Sequence, residues 1–355
     1  MAVGLDDVVA AETVLSHVDG QAGRLVLRGF DLEALAGRRS YEEVLALLWD
    51  GFAPAGDVAG GLGRARAAAF AILAPKLPAL DGLGPVEAVR AGLALLADRV
   101  EVPHHLLATA ATAVVAAAAS RRGAGKTPVA PDPSLGHAAD FLRMLRGEPA
   151  TAAHVRALDT YLVTIADHGL NASTFAARVI ASTRAGLLSA VVGGICALKG
   201  PLHGGAPGPV LDMLDAIGGP ERIEPWLIAA LDHGDRLMGF GHRVYRVRDP
   251  RADVLKRVVM DLRGESNRIR FAEAVEAAAI RLLAQRKQGR GLDTNVEFYT
   301  ALLLEALALP RDLFTAVFAV GRVGGWAAHV LEQEQSRRII RPQSAYVGPL
   351  PQRAA

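Results

Sequence analysis

The stretch Leu187-Leu188-Ser189-Ala190-Val191-Val192-Gly193-Gly194-Ile195-Cys196-Ala197-Leu198-Lys199-Gly200-Pro201-Leu202-His203-Gly204-Gly205-Ala206 sets the reading of this chain. Apolar and small residues run without a charge from Leu187 to Leu198, and they continue an apolar helix expected from Phe175. That helix must end before Gly200-Pro201, since both residues break helical backbone. His203 then lies on a turn between Pro201 and two glycines, and a second helix is expected from Pro209 to Ile217. The glycines let a ligand approach the backbone closely. A histidine on a Gly-rich turn also has a plainer explanation, a structural hydrogen bond.

Working outward, the chain reads as mainly α. It is 51% hydrophobic but only 5% aromatic, and its apolar residues are chiefly Ala, Leu and Val. Ala and Leu are the strongest apolar helix formers. From Ser40 onward the pattern is helical almost throughout. Ser40-Tyr41-Glu42-Glu43 has the form of a capping box, and breaks are expected at Pro54, Pro75 to Pro78, Gly84-Pro85 and Pro103. Leu158 to Ile165, Thr300 to Leu309 and Phe314 to Glu334 are further apolar helices. The exception is the N-terminus: Thr13 to Val18 and Arg24 to Arg28 flank a Gly-containing turn and read as a short β-hairpin. Gly123 to Pro133 is a loop. Its Gly-Lys-Thr is not a phosphate-binding loop, because residue 120 is Ser.

At 355 residues, two domains are expected. Charged residues become denser beyond Gly205 and thin out after Arg290. The expected division is a large helical domain made of 1–206 and 309–355, with 207–308 inserted as a smaller, mobile lobe.

Several function classes are set aside. The net charge is only +2 and no basic run is interleaved with aromatics, so nucleic acid is not an expected partner. The five lysines are outnumbered by arginines. Codon bias explains that excess, although single arginines can still grip a carboxylate with two parallel hydrogen bonds. The lone cysteine, Cys196, rules out an intramolecular disulfide and is expected to be a buried small hydrophobe. No Cys/His cluster has zinc spacing, so no metal is expected. The N-terminus lacks the pattern of a signal peptide. The longest apolar runs fall short of the roughly 20 residues that span a bilayer. A soluble cytoplasmic protein is the expectation.

Three more stretches carry candidate chemistry: Asp167-His168-Gly169-Leu170-Asn171-Ala172-Ser173-Thr174, Gly239-Phe240-Gly241-His242-Arg243-Val244-Tyr245, and Asn295-Val296-Glu297-Phe298-Tyr299. Each has two readings. Asn171 and Ser173 are suited to capping the next helix. His242, with Arg246, Arg248 and Arg251 nearby, suits an anion or is a solvated loop. Glu297 in apolar company should have a raised pKa and could act as a base, or it is a glutamate favoured by a helix dipole. Arg322 and Trp326 share a helix face by their spacing, which packing also explains, and His329 reads as structural. Arg337, Arg338 and Arg341 read as tail charges.

Together these stretches closely resemble the citrate synthase family. Its patterns run roughly Asp-His-x-x-Asn-x-Ser, Gly-Pro-Leu-His-Gly, Gly-x-Gly-His followed by Asp-Pro-Arg, Asn-Val-Asp, and a late Arg before Trp followed by Arg-Pro. They occur here in that order from Asp167 to Arg341, and Arg28-Gly29-Phe30-Asp31 resembles shorter bacterial members. The resemblance implies a two-domain, almost all-α dimer. It implies catalytic roles for His203, His242 and Glu297, and oxaloacetate binding by His168, His242, Arg251, Arg322 and Arg341, the last reaching into the neighbouring subunit's site. It implies that Leu237, Met238, Gly239 and Gly241 belong to the segment receiving the adenine of coenzyme A, and that Arg246 holds a phosphate. Acetyl-CoA or propionyl-CoA would be a substrate rather than a bound cofactor. Two departures stand out. Residue 297 is Glu where most of the family has Asp, and Ala206-Pro207-Gly208-Pro209 replaces the common Ala-Asn-Glu. The first leaves open a weakly active binding paralogue.

Overall fold

The computed structural model describes residues 8–204, 207–242, 244–245, 247–262, 267–286 and 292–349. The N-terminal sheet is antiparallel in the order β1 (Ser16–Asp19), β2 (Arg24–Leu27), β3 (Phe30–Asp31). Ser16 pairs with Leu27, and Leu27 in turn with Phe30. The expected hairpin is present, with a third strand added. Leu25 and Leu27 alternate with Arg24 and Val26, so one face of β2 is buried.

Helices follow. They are α1 (Leu32–Leu35), α2 (Tyr41–Trp49), α3 (Val58–Leu73), α4 (Pro85–Ala94), α5 (His104–Gly123), α6 (His137–Arg146), α7 (Ala152–Ile165), α8 (Ala172–Ser182) and α9 (Leu187–Leu198). The chain continues with α10 (Pro207–Ile217), α11 (Ile223–His233), α12 (Pro250–Asp261), α13 (Asn267–Arg286), α14 (Val296–Ala306) and α15 (Phe314–Ser336). The capping box at Ser40 is formed in full: Ser40 Oγ accepts from the Glu43 amide and Glu43 accepts from the Ser40 amide.

Two long helices organise the core. In α5 every residue from Leu107 to Ala118 is buried, and α3, α4 and α15 lie against it. Its alanines allow close approach; a Cβ at Gly92 of α4 would come within 2.9 Å of Val115. In α15, glycines do the same. A Cβ at Gly325 would sit 2.0 Å from the Ala166 carbonyl oxygen, and one at Gly321 would meet Ile165 at 2.6 Å. Helix α15 therefore lies directly on the end of α7, where Asp167 and His168 follow. The stretch Arg311–Ser336 is long and apolar enough to cross a membrane by composition, contrary to the sequence reading, but it is buried inside the protein.

Two other expectations are corrected. Phe175 to Leu198 is not one helix: α8 ends at Ser182, and Arg184 and Gly186 turn the chain with φ of 63° and 88° before α9. Apolar composition hides this break because α8 and α9 pack on each other and both bury one face. Cys196 is exposed, not buried, because it lies on the side of α9 away from its buried residues, among them Ile195 and Leu198. Helices α12 and α10 pack on α14, and α11 packs on α13.

Candidate active site

One wall of the site is built where α15 meets α7 and α8. Asn171 caps α8 by accepting from the Thr174 amide at 3.1 Å. Gly169 before it takes a φ of 63°. Arg322 is buried and donates through Nε to the Ile165 carbonyl at 2.5 Å, with its guanidinium 4.8 Å from the Phe318 ring centroid. Burial brings its pKa down to about 10. One turn on, Trp326 Nε1 donates to Ser173 Oγ at 3.2 Å. A further turn brings His329 to Asp167 Oδ1 at 3.1 Å and to Arg178 Nη1 at 2.9 Å, both inside the core. His329 is thus a structural residue, in line with its sequence reading.

The turn after α9 delivers His203. The Gly204 amide donates to the Leu198 carbonyl at 2.9 Å, and a Cβ on Gly204 would fall 2.4 Å from that same oxygen. Glycine is therefore required for the chain to fold back there. His203 Nε2 lies 2.8 Å from Ser173 Oγ, and Nδ1 has no partner among the described residues. Burial, with Arg322 close by, pushes its pKa down to about 4, so the ring is neutral.

The opposite wall is a loop stitched to the start of α14. The Gly241 amide donates to the Asp293 carbonyl at 2.8 Å, the Asn295 amide to Gly239 at 2.9 Å, and Asn295 Nδ2 to the Gly241 carbonyl at 2.7 Å. Gly239 and Gly241 have φ of 85° and 76°, and a Cβ on either would meet Phe298 or Leu292 at 2.8 Å. This ladder presents His242. Its Nδ1 accepts from the amides of Val244 and Tyr245 at 3.0 and 3.1 Å. A neutral imidazole carries one hydrogen, so that hydrogen is on Nε2. Burial and Arg251 keep the pKa near 4.

Arg251 Nη2 lies 3.1 Å from His242 Nε2. Arginine is only a donor, so two N–H groups face one another and call for a shared, electron-rich acceptor. Arg251 is itself held by Asp249 at 3.1 and 2.9 Å. Asp249 also caps α12 and accepts from the Val296 amide at 3.1 Å, which ties both helices to this point. His168 completes the group, with Nε2 3.1 Å from Tyr245 Oη and its ring centroid 5.8 Å from that of His242. Burial, then Arg251 and Arg322, holds its pKa well below the usual histidine value.

Asn295 caps α14 by accepting from the Glu297 amide at 3.0 Å. Glu297 Oε2 is buried without a hydrogen-bond partner among the described residues. Burial pushes the pKa up to about 7, against the pull of Arg251. A carboxylate so placed is a competent base at neutral pH.

A cavity of about 800 Å³ gathers His168, His203, His242, Arg251, Glu297 and Arg322, with Val8 to Ala11, Leu170, Phe175 and Phe318 around its mouth. Arg341 is not among them. It is exposed and lines an adjoining groove with Arg338 and Ile340. Leu237, Met238, Gly239 and Gly241 do not line that cavity; Gly239 and Gly241 belong to the backbone ladder that presents His242. Arg246 lies outside the described residues. Sequence reading missed Asp249 as the anchor of Arg251, although a cap followed by proline at the first helical position was its signal. It also took Ser173 only as a cap.

The family model described as citrate synthase, C-terminal domain, matches residues 4–343. The chain is 40% identical to the citrate synthase of Haloferax volcanii over 375 residues, covering 97% of this chain and 95% of that one. It is 36% identical to a 2-methylcitrate synthase of Mycobacterium tuberculosis, over 97% and 90% of the two chains. The Thermoplasma acidophilum citrate synthase, solved as a ternary complex with carboxymethyl coenzyme A and oxaloacetate, aligns with a TM-score of 0.87 at 28% identity, over 99% of this chain and 97% of that one. With a family match spanning nearly its whole length, the chain belongs to the citrate synthase family.

Proposed function

We propose that the protein condenses acetyl-CoA with oxaloacetate and water, giving citrate and free CoA, as a Si-type synthase of the tricarboxylic acid cycle. The observation that carries this reading is the facing pair of donors on His242 and Arg251, set in one cavity with a desolvated carboxylate. Glu297 takes a proton from the acyl methyl group. Neutral His203 donates from Nδ1 to the thioester oxygen as the enol forms, in the way a neutral histidine polarises a carbonyl. The enol carbon attacks the ketone carbon of oxaloacetate. His242 Nε2–H meets the oxygen that becomes the alkoxide. Arg251, Arg322 and His168 hold the dicarboxylate so that the two carbons meet. Water then cleaves the thioester and releases the CoA thiol.

The segment Leu237 to Gly241 receives the adenine, and Arg246 a phosphate. Residues 207–308 close as a lobe on the domain formed by 1–206 and 309–355 and keep water away until hydrolysis. Arg341, which stands outside its own chain's cavity, serves the partner's site in a homodimer. The reaction uses no metal or tightly bound cofactor and takes place in the cytoplasm.

Likeness to a 2-methylcitrate synthase supports propionyl-CoA as a second substrate. The two acyl groups differ by one methylene, worth about 1–3 kcal/mol. Glu297 reaches one methylene further than the Asp of the family pattern, which favours the smaller group. Thiol release should depend on oxaloacetate, proceed with EDTA present and run faster with acetyl-CoA. Absence of oxaloacetate-dependent release with either acyl-CoA would instead make the protein a binding paralogue. Mixing Arg341→Ala chains with His203→Ala chains should restore activity; no recovery after demonstrated subunit exchange would remove Arg341 from the partner's site.

A further inference from the structure

Glu276 on α13 is a buried carboxylate to which the proposed reaction gives no task. Burying a carboxylate is costly unless donors meet it, and here three do. Thr294 Oγ1 donates to Oε1 at 2.7 Å, Tyr299 Oη to Oε2 at 2.5 Å, and Lys256 Nζ to Oε2 at 2.9 Å. The Lys256 ammonium, from α12, also stands 5.5 Å from the Tyr299 ring centroid. Glu276 itself does not line the cavity.

What it holds lies on both sides of the candidate base. Thr294 is the middle of the ladder that presents His242: it bridges Phe240, while Asp293 and Asn295 beside it bond Gly241 and Gly239. Tyr299 lies on α14 two residues after Glu297. Residues two apart point to nearly opposite sides of a helix, so Tyr299 reaches back to α13 while Glu297 lines the cavity. Thr294 and Tyr299 thus bracket Glu297, and one carboxylate grips both. Asp249 holds the same turn of α14 separately, accepting from the Val296 amide at 3.1 Å.

We propose that Glu276 is a positioning residue: it pins the His242 ladder through Thr294 and the first turn of α14 through Tyr299, and so sets the spacing between His242 and Glu297. Hydrogen bonds to an ionised carboxylate are shorter and stronger than neutral ones, and Lys256 balances the charge. A displacement of about 1 Å at a reacting group can cost about a hundredfold in rate, so a spacing fixed from behind the cavity bears on the chemistry. This inference rests on the reading of His242 as the group that meets the ketone oxygen and of Glu297 as the base.

The test compares Glu276→Leu, Thr294→Val and Tyr299→Phe by steady-state kinetics and thermal unfolding, with Glu297→Gln and His242→Ala alongside. Valine and phenylalanine each remove one hydroxyl and keep the shape, so both variants should fold; should Glu276→Leu fail to fold, these two carry the test. Thr294→Val loosens the His242 ladder and should raise the KM for oxaloacetate about tenfold with little change in kcat. Tyr299→Phe loosens the turn that carries the base and should lower kcat about tenfold with the KM for oxaloacetate unchanged. Glu276→Leu should show both changes. A purely structural knot would lower the Tm of all three and move neither constant, and that result overturns the proposal. So does the same change of KM and kcat in Thr294→Val and Tyr299→Phe, because the two anchors would then not act on separate groups. Full turnover in Glu297→Gln or His242→Ala overturns the reading of that residue and this proposal with it. Loss of turnover in both, with wild-type constants in the other three, overturns this proposal alone.

Discussion

The turns that carry His203 and His242 hold the same side chain in opposite ways. His242 is fixed by backbone: two amides bind Nδ1, and its loop is stitched to residues 293–295 through Gly239, Gly241 and Asn295. His203 has one side-chain tie, to Ser173 Oγ, on a turn whose neighbour Leu202 is fully exposed. Backbone amides only donate, so His242 cannot exchange its tautomer. A hydroxyl can donate or accept, so the tautomer of His203 is set by where Ser173 sends its single hydrogen. Asn171 Oδ1, at 2.8 Å, competes for that hydrogen. In the proposed reaction the rigid turn suits a ring with one task at the ketone, and the looser turn suits a ring that follows a thioester oxygen as its charge changes.

In the proposed reaction Glu297 serves both turns, so it offers the harshest test. Glu297→Gln should lower kcat by about 10²–10⁴ with little change in oxaloacetate affinity measured by calorimetry. Normal turnover would leave both histidines without a base to cooperate with. Glu297→Asp should also be impaired, since the pocket is fitted to the longer side chain. A sharply faster Asp variant would mark the native site as degraded.

Asn295→Ala should damage the rigid turn. It removes the cap of α14, worth about 0.5–2 kcal/mol, and leaves the buried Gly241 carbonyl without its donor. Denaturant unfolding should show a loss of about 2–3 kcal/mol, together with a raised KM for oxaloacetate. Loss of stability without a change in KM would mean that the ladder does not position His242.

Ser173→Ala should damage the looser turn more gently. We expect kcat to fall about tenfold, stability to fall by about 1 kcal/mol and the KM for oxaloacetate to hold. An increase in that KM equal to the one in Asn295→Ala would erase the distinction between the turns.

The smallest effects concern pH. Both histidines are held near 4, so neither limits the rate near neutrality. With Glu297 as the proposed base, the acid limb is expected from it, and kcat should rise with pH through about 7. A single limb near pH 4 would reassign it. The same group affects stability. Its folded pKa lies above the ordinary 4.5, so the folded state binds the proton more tightly, and stability is lost as pH rises from about 4.5 through about 7. Glu297→Gln escapes this loss. Its Tm should match the wild type at pH 4 and exceed it modestly at pH 8, and equal Tm values at both would contradict the burial of the charge.

Much of this was legible in the chain. Prolines 75 to 78, Pro85 and Pro103 end or start helices where expected, and the Ser40 capping box forms. His168, His203, His242, Arg251, Glu297 and Arg322 were picked out as candidates, and the fold brings all six to one cavity. Such signals are local. A proline, a glycine at positive φ or a capping side chain acts within a few residues, so it can be read where it stands.

Other features depend on distant partners. Whether Cys196 faces the core, whether Phe175 to Leu198 is one helix or two, and whether Arg341 joins the cavity of its own chain all depend on packing that composition does not encode. The same holds for charge and hydrogen placement. Arg322 is fixed by a carbonyl 157 positions away, and Val296 is tied to Asp249 across 47. A motif names a histidine or a glutamate. Its tautomer and its pKa come from burial and from neighbours that only the packed helices bring within a few ångströms, because desolvation and Coulomb interaction act through space and not along the chain.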